Sequence, residues 1–286
     1  TELLQHHNPA REVNRMASVP RFKLIIEYAG TRYSGWQIQK NARTVQGEID
    51  RAVREVTGRK DFELYGSGRT DAGVHASGQV AHLDASTNLP PATLVHRLND
   101  ELPADINILS ASVVPHRFHA RHHAVARRYV YQVARRRTAF AKPYVWWVKE
   151  PLDLARMRGA TRAFMGMKDF QSFREADHDD AGGPASSLVL IERLEVAEDG
   201  DIVLIVIEGS HFLWKMVRRV VGVLVEIGRG ALEPSAAEGF LAEWSAAPAR
   251  LTAPASGLFL ERVYYERDPR TAQAAAITPL LSSRAR

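Results

Sequence analysis

The segment that most constrains this chain is the run GSGRTDAGVHA at residues 66–76. It places Asp71 two residues after Arg69, among small side chains and three glycines. Glycine permits tight and left-handed turns and lets a ligand approach the main chain closely. Strand-forming residues precede the run at 62–65 and follow it at 79–83. The pattern therefore predicts a strand–loop–strand unit that presents Arg69 and Asp71 at its tip.

Other known loop types do not account for this run. The glycine spacing and the lack of a following helix exclude a dinucleotide fingerprint, and no Lys-Ser/Thr pair closes a phosphate loop. An ordinary surface turn needs Gly, Asn or Asp, but it does not need an Arg and an Asp two residues apart. A carboxylate close to a cation can act as a nucleophile or a base, so Asp71 is predicted to be a catalytic residue.

Composition narrows the class of protein. The net charge of +5 is uneven, since residues 115–142 contain eight Arg or Lys and no Asp or Glu, so we expect an anionic partner such as nucleic acid. The absence of cysteine excludes disulfides, thiolate metal sites and cysteine nucleophiles, and it suits the cytoplasm. No apolar run is long enough to span a bilayer, so we expect no membrane association.

The hydrophobic pattern divides the chain into two similar halves. In the first half, Thr44 can cap a helix whose apolar residues recur at helical spacing up to Gly58. The first half is predicted to have the order β-α-β-β-α-β, which is ferredoxin-like, and the second half repeats this order loosely. The predicted elements of the first half are strands 22–28, 62–65, 79–83 and 106–114 and helices 45–57 and 90–102. Those of the second half are strands 128–134, 188–196, 202–208 and 258–265 and helices 152–165, 212–227 and 234–244.

The fold class expected from this pattern is α+β, with two antiparallel sheets flanking a central cleft that suits a large ligand such as the expected nucleic acid. We expect four segments along the chain. They are a flexible N-terminal extension at residues 1–20, an N-terminal domain with the Asp71 loop at 21–115, a C-terminal domain at 116–266, and a C-terminal tail at 267–286.

The motif GRTDAGVHA at residues 68–76 resembles the active-site signature of the tRNA pseudouridine synthases of the A family, which act on the anticodon stem-loop. Further segments resemble the same family, and together they cover residues 21–266. These segments are YSGWQ at 33–37, FHAR at 118–121, ARRYVY at 126–131, FLWKMVR at 212–218 and GL at 257–258.

The resemblance implies an isomerase that converts uridine to pseudouridine at tRNA positions 38–40 without a cofactor. Asp71 would be the catalytic residue and Arg218 its cationic partner. Tyr129 would stack on the flipped uracil, Leu258 would contact the other side of the base, and Arg69 would help to displace the base. Whether Asp71 attacks the sugar or removes a proton from it is left open.

Simpler interpretations exist for these residues. Tyr129 is also a good strand former that could fill the core, Leu258 could be plain core, and Arg218 could be a solvated charge on a helix. The same isomerisation on another RNA site is an alternative function. A non-catalytic RNA-binding protein or chaperone on this scaffold is a further alternative.

Phosphate contacts are predicted from the basic segment, since basic side chains neutralise the RNA backbone. The alternative for the three consecutive arginines is a surface charge run. The resemblance also implies a homodimer, because a stem-loop with its arm is longer than one cleft. The predicted contact residues are Arg127, Arg128, Arg135, Arg136, Arg137 and Lys215.

Three positions depart from the family pattern: Ser186 stands where the family usually has Arg, and Lys215 and Arg219 replace the commoner His and Asn.

Two segments resemble metal sites only superficially. The histidines at 116, 119, 122 and 123 have no acidic partner near in sequence, and the acidic loop at 177–183 lacks the closing Glu of a calcium loop. No metal is expected.

Overall fold

Ten strands and six helices make up the described part of the chain, in a computed structural model that covers residues 19–175, 186–270 and 273–278. The predicted α+β class is confirmed. No helix in these ranges is long and apolar enough to cross a membrane. The strands are β1 Arg21–Tyr28, β2 Glu63–Gly66, β3 His75–Asp84, β4 Ile106–Val114, β5 Ala124–Ala134, β6 Trp146–Trp147, β7 Gly166–Asp169, β8 Leu188–Asp199, β9 Ile202–Gly209 and β10 Leu258–Tyr265. The helices are α1 Val45–Thr57, α2 Pro91–Glu101, α3 Leu154–Phe164, α4 Met216–Gly228, α5 Ala236–Ala242 and α6 Ala247–Arg250.

Helix α1 begins and ends as its sequence predicts. The Thr44 hydroxyl accepts a hydrogen bond from the Gly47 N–H at 3.2 Å, which satisfies one backbone donor of the first turn. Gly58 ends the helix in the left-handed conformation, with φ of 66°. The apolar residues at helical spacing form its buried face, which packs on the sheet.

All the strands belong to one open sheet with the order β4-β1-β3-β10-β5-β9-β8-β7, to which β2 adds beside β3 and β6 beside β5. Strands β4, β1 and β3 come from the first half, and β10, β5, β9, β8 and β7 come from the second. The halves meet where β10 runs parallel to β3, with Phe259 opposite His75 and Leu260 opposite Ala76. The two predicted sheets are therefore joined edge to edge, and the domain boundaries stay a prediction.

The second half differs from the sequence prediction in detail. Helix α4 begins at Met216, four residues later than expected, because Lys215 adopts a left-handed conformation with φ of 60°. The short strand β7 and the single-turn helix α6 carry too few residues for a periodic pattern to reveal them.

Residues 273–278, within the predicted tail, lie against the face of the sheet opposite to Tyr129. The backbone N–H groups of Ile277 and Thr278 donate to the Gln132 side-chain oxygen at 2.8 and 3.2 Å. The apolar residues of this segment cover a small second core. That core contains Val130, Ile202, Leu204 and Val206.

Candidate active site

The Asp71 loop connects β2 to β3 and is held by the segment that follows β1. The Trp36 backbone N–H donates to the Thr70 carbonyl at 3.1 Å, and the Tyr28 hydroxyl is 2.8 Å from the Thr70 hydroxyl. Gly35 lies against the loop, since a Cβ there would be 2.5 Å from the Thr70 carbonyl oxygen. The φ of Gly35 is also positive, at 93°, so this close approach requires glycine.

Strand β3 holds the loop from below through Gln79. The Ser67 hydroxyl donates to the Gln79 side-chain oxygen at 2.8 Å, and the Gln79 amide donates to the Gly68 carbonyl at 3.0 Å. Both side chains are buried, so these hydrogen bonds fix the loop and are costly to break.

Asp71 and Arg218 form an ion pair between the two halves of the molecule. The Arg218 Nη1 donates to the Asp71 Oδ2 at 3.2 Å, and the Arg218 Nε donates to the Ala253 carbonyl at 2.7 Å. The Arg218 side chain is 16% exposed and the Asp71 side chain is 20% exposed, so the carboxylate stays accessible to a substrate. Asp71 comes from the first half and Arg218 from α4 in the second, which makes this pair dependent on the joint between the halves.

Tyr129 lies on β5, close to this pair, and is 9% exposed. Phe212 packs against it edge to face, with ring centroids 5.2 Å apart. Burial raises the pKa of Tyr129 to about 12; the Arg127 charge opposes that rise and the Asp71 charge adds to it. The hydroxyl is therefore protonated at neutral pH.

Leu258 and Arg69 lie at different places around the Asp71–Arg218 pair. Leu258 is buried and pairs with Tyr131 across β10 and β5, one pair of strand positions away from Tyr129. Arg69 is exposed at the tip of the Asp71 loop, and its Nε donates to the Gln37 side-chain oxygen at 3.1 Å.

Arg127 binds four main-chain carbonyls, which belong to three segments of the chain. Its two terminal nitrogens donate to Ser67 at 3.1 Å, Ser210 at 2.8 Å, Arg121 at 2.9 Å and Ala124 at 3.2 Å. Burial lowers the pKa of Arg127, yet an arginine stays charged in a protein. The guanidinium thus ties the strand before the Asp71 loop to the segment that carries Phe212, a role the sequence analysis missed.

Arg128 is 0% exposed and lies on the opposite face of the sheet. It pairs with Glu261 and is 3.8 Å from Glu208, and its Nη2 donates to the Gln273 carbonyl at 2.9 Å. Residues 273–278 and two carboxylates enclose the Arg128 guanidinium, so we do not propose it as a phosphate contact. Alternation along β5 was the available signal, since it puts Arg127 with Tyr129 and sets Arg128 apart.

The three consecutive arginines lie at the far end of β5, on the order of 20 Å along the strand from Tyr129. Arg135 pairs with Glu198 at 2.8 Å and Arg136 pairs with Asp201 at 2.7 Å, both in the β8–β9 hairpin. Arg137 is exposed, with its guanidinium 6.0 Å from the centre of the Trp147 ring.

Two of the departures from the family pattern meet at one carboxylate. Lys215 lies 3.1 Å from Glu175, and Arg219 also pairs with Glu175 and donates to the Arg174 carbonyl. Lys215 and Arg219 therefore fasten the chain after β7 to the start of α4, next to Arg218. The third departure, Ser186, accepts a hydrogen bond from the Leu188 N–H at 3.3 Å.

The histidines at 116–123 support one another and the chain around them. His119 accepts main-chain hydrogen bonds from Arg121 and His122 at 3.1 and 3.2 Å. In the ranges described, no group of three or more His, Cys, Asp or Glu could hold a metal ion. The acidic loop at 177–183 falls outside them.

The site joins a carboxylate, its arginine partner and an aromatic ring in a basic α+β protein, which is a combination suited to chemistry on a nucleobase. The comparisons with known proteins specify the family. A family model described as tRNA pseudouridine synthase matches residues 24–123 and 160–266, and this chain belongs to that family. The predicted family and the isomerase class are thereby confirmed.

The relatives match over most of their length. The tRNA pseudouridine synthase A of Rhodopseudomonas palustris (strain BisA53) is 41% identical over 251 residues, which are 87% of this chain and 100% of the relative. The enzyme of that name from Nitrobacter hamburgensis is 40% identical over 86% of this chain and 100% of the relative. The tRNA pseudouridine synthase A 2 of Clostridium tetani is 36% identical over 85% of this chain and 98% of the relative.

Proposed function

We propose that this protein isomerises uridine to pseudouridine in the anticodon stem-loop of tRNA, at positions 38–40, with Asp71 as the catalytic carboxylate. The observation that carries this proposal is the Asp71–Arg218 ion pair at 3.2 Å, formed between the two halves beside Tyr129 in a chain of this family. The reaction breaks the C1′–N1 bond, turns the uracil and forms a C1′–C5 bond. The C5 proton leaves and N1 gains a proton, so the isomerisation needs no oxidant or reductant.

Each neighbour of Asp71 has a role in this proposal. Arg218 orients the carboxylate and balances its charge while the sugar reacts. Tyr129 and Leu258 hold the extruded uracil, and Arg69 helps to take the base out of its stack. Asp71 either attacks C1′ or removes a proton from the sugar, and both routes need it ionised.

The substrate also bears on assembly and location. We infer a homodimer, because an anticodon stem-loop with its arm extends beyond one cleft and a second subunit adds surface for the rest. A tRNA substrate supports a cytoplasmic location.

The test is Asp71→Asn, which keeps the shape of the side chain and removes its charge. We expect no isomerisation of a tRNA anticodon stem-loop in single turnover, and binding of that RNA within a few-fold of wild type. Asp50→Asn is the matched control and should be fully active, because Asp50 is a half-buried carboxylate on α1 that also pairs with an arginine, Arg54. Turnover by Asp71→Asn within tenfold of wild type would overturn the role of Asp71, and pseudouridine formed at other positions instead of 38–40 would overturn the site.

A further inference from the structure

A shallow cleft opens on the outer side of the Asp71 loop, and the roles given above leave it without an occupant. Two loops and the edge strand β2 converge on it. We call it the flanking cleft, and it is lined chiefly by Trp36, Gln37, Tyr65, Gly68, Arg69 and Arg121.

Tyr65 gives this cleft an aromatic wall. One side of its ring packs on the fully buried His82, with centroids 5.8 Å apart and planes 19° apart. The edge of His119 adds a second contact at 4.8 Å. Tyr65 nevertheless remains 36% exposed, so the ring is fixed by its neighbours and open on the side of the cleft. A ring with these properties is suited to stacking on a nucleobase.

Two arginines approach the cleft from different loops. Arg69 is held by its hydrogen bond to Gln37. Arg121 has an exposed side chain on a fixed backbone, since its N–H donates to His119 and its carbonyl accepts from Arg127. None of the residues lining the cleft is acidic. The cleft therefore combines a stacking surface with positive charge, which are the two features that a nucleotide needs.

We propose that the flanking cleft binds the nucleotide next to the target uridine, with its base stacked on Tyr65 and its phosphate contacted by Arg121. This rests on the proposed function. The base must be unpaired to lie on the ring, so the site selects uridines that have an unpaired or easily opened neighbour. The cleft begins within the loop that carries Asp71, so one RNA strand can reach both sites.

The experiment measures binding of a set of anticodon stem-loops to the Asp71→Asn chain, which binds without turning over. One RNA is intact, and each of the others lacks one base near the target uridine. We expect Tyr65→Leu to weaken binding of the intact RNA by roughly 5- to 100-fold, and Tyr65→Phe to bind as wild type. The RNA that lacks the base held by Tyr65 should bind with equal affinity to the chain that keeps Tyr65 and to the chain that carries Tyr65→Leu.

A second variant tests the phosphate contact independently of stacking. Arg121→Gln should lower the slope of log affinity against log salt by about one unit or slightly less, because one phosphate contact is lost. An equal loss for Tyr65→Leu on every RNA, or no loss on the intact RNA, would overturn the proposal. Failure of the proposed function is a separate result, namely a wild-type chain that leaves the stem-loop unmodified.

Discussion

Arg127 and Arg128 follow one another in the sequence and end on opposite faces of the sheet. The strand directs Arg127 toward the same face as Tyr129, where it collects main-chain carbonyls around the Asp71 loop. It directs Arg128 toward two carboxylates and the C-terminal segment. Two identical side chains thus have different roles because the strand alternates them.

Replacing Arg127 with Lys should slow catalysis without changing the salt dependence of binding. A lysine keeps the charge but cannot reach all four carbonyls, so the Asp71 loop and the segment of Phe212 lose their common support. We expect the single-turnover rate to fall roughly 10- to 100-fold, because small misplacements of reacting groups are costly. Arg137→Lys, at an exposed position, is the control. An unchanged rate together with a slope lower by one unit would identify Arg127 as a phosphate contact instead.

Tyr129 should tolerate loss of its hydroxyl and not loss of its ring. With a pKa raised to about 12, the hydroxyl is not ionised at neutral pH, so Tyr129→Phe should keep the single-turnover rate within a few-fold. Tyr129→Ala removes the stacking surface, worth roughly 1–3 kcal/mol per base, and should slow the reaction at least tenfold. Equal rates for alanine and wild type, in a variant with a native circular dichroism spectrum, would show that Tyr129 only fills the core.

At the scale of elements, the segment between β4 and β5 depends on the neutral forms of His82 and His119. Their Nδ1 atoms accept main-chain N–H groups of residues 120–122. A protonated imidazole has no such acceptor. This segment also carries Arg121, so the imidazoles fix one wall of the flanking cleft.

Acid should destabilise the protein through His82. Burial lowers its pKa to about 4, and the charges of Arg21 and nearby His119 and His116 add to this, while Asp84 opposes it. Because the folded pKa lies below the unfolded one, this contribution is complete above about pH 6.5 and is lost as pH falls toward 4. The free energy of unfolding in urea should drop by about 2 kcal/mol from this group between about pH 7.5 and about pH 5.

The control for this titration is a second histidine. His82→Gln should remove most of that pH dependence, whereas His96→Gln, at an exposed position on α2, should leave it unchanged. Identical pH profiles for His82→Gln and wild type would assign the acid sensitivity to other groups.

At the scale of the whole molecule, the ion pairs of the three consecutive arginines change what we expect them to contribute to RNA binding. Arg135 and Arg136 are already paired with carboxylates, and only Arg137 of the three contacts an aromatic ring instead. We therefore expect the triple replacement of Arg135, Arg136 and Arg137 by Gln to lower the salt slope of RNA binding by about one unit. The single-turnover rate at saturating RNA should stay unchanged. A fall of about three units would mean that both ion pairs open to RNA.

The sequence predicted those features that local patterns encode. The Asp71 loop and the capped helix after Thr44 followed from motifs and periodicity, whereas the pairing of Asp71 with Arg218 was implied only by the family resemblance. The late start of α4 did not, because the left-handed conformation of Lys215 has no local signal. The joint between β3 and β10 could not be predicted either, since nothing in either strand specifies a partner more than 170 residues away.

The last long strand of the chain lies in the middle of the sheet, and this has a consequence for biosynthesis. The first half is complete at residue 114, with β1 and β2 already beside β3, but β10 can join β3 at His75 and Ala76 only after residue 265 has been made. At about 5–20 residues per second, translation leaves that part of β3 uncovered for roughly eight to thirty seconds. Arg218 and Ala253 also arrive late, so a prematurely terminated polypeptide lacks the assembled Asp71–Arg218 pair. The same order of synthesis leaves an unpaired strand edge next to the Asp71 loop in the nascent chain.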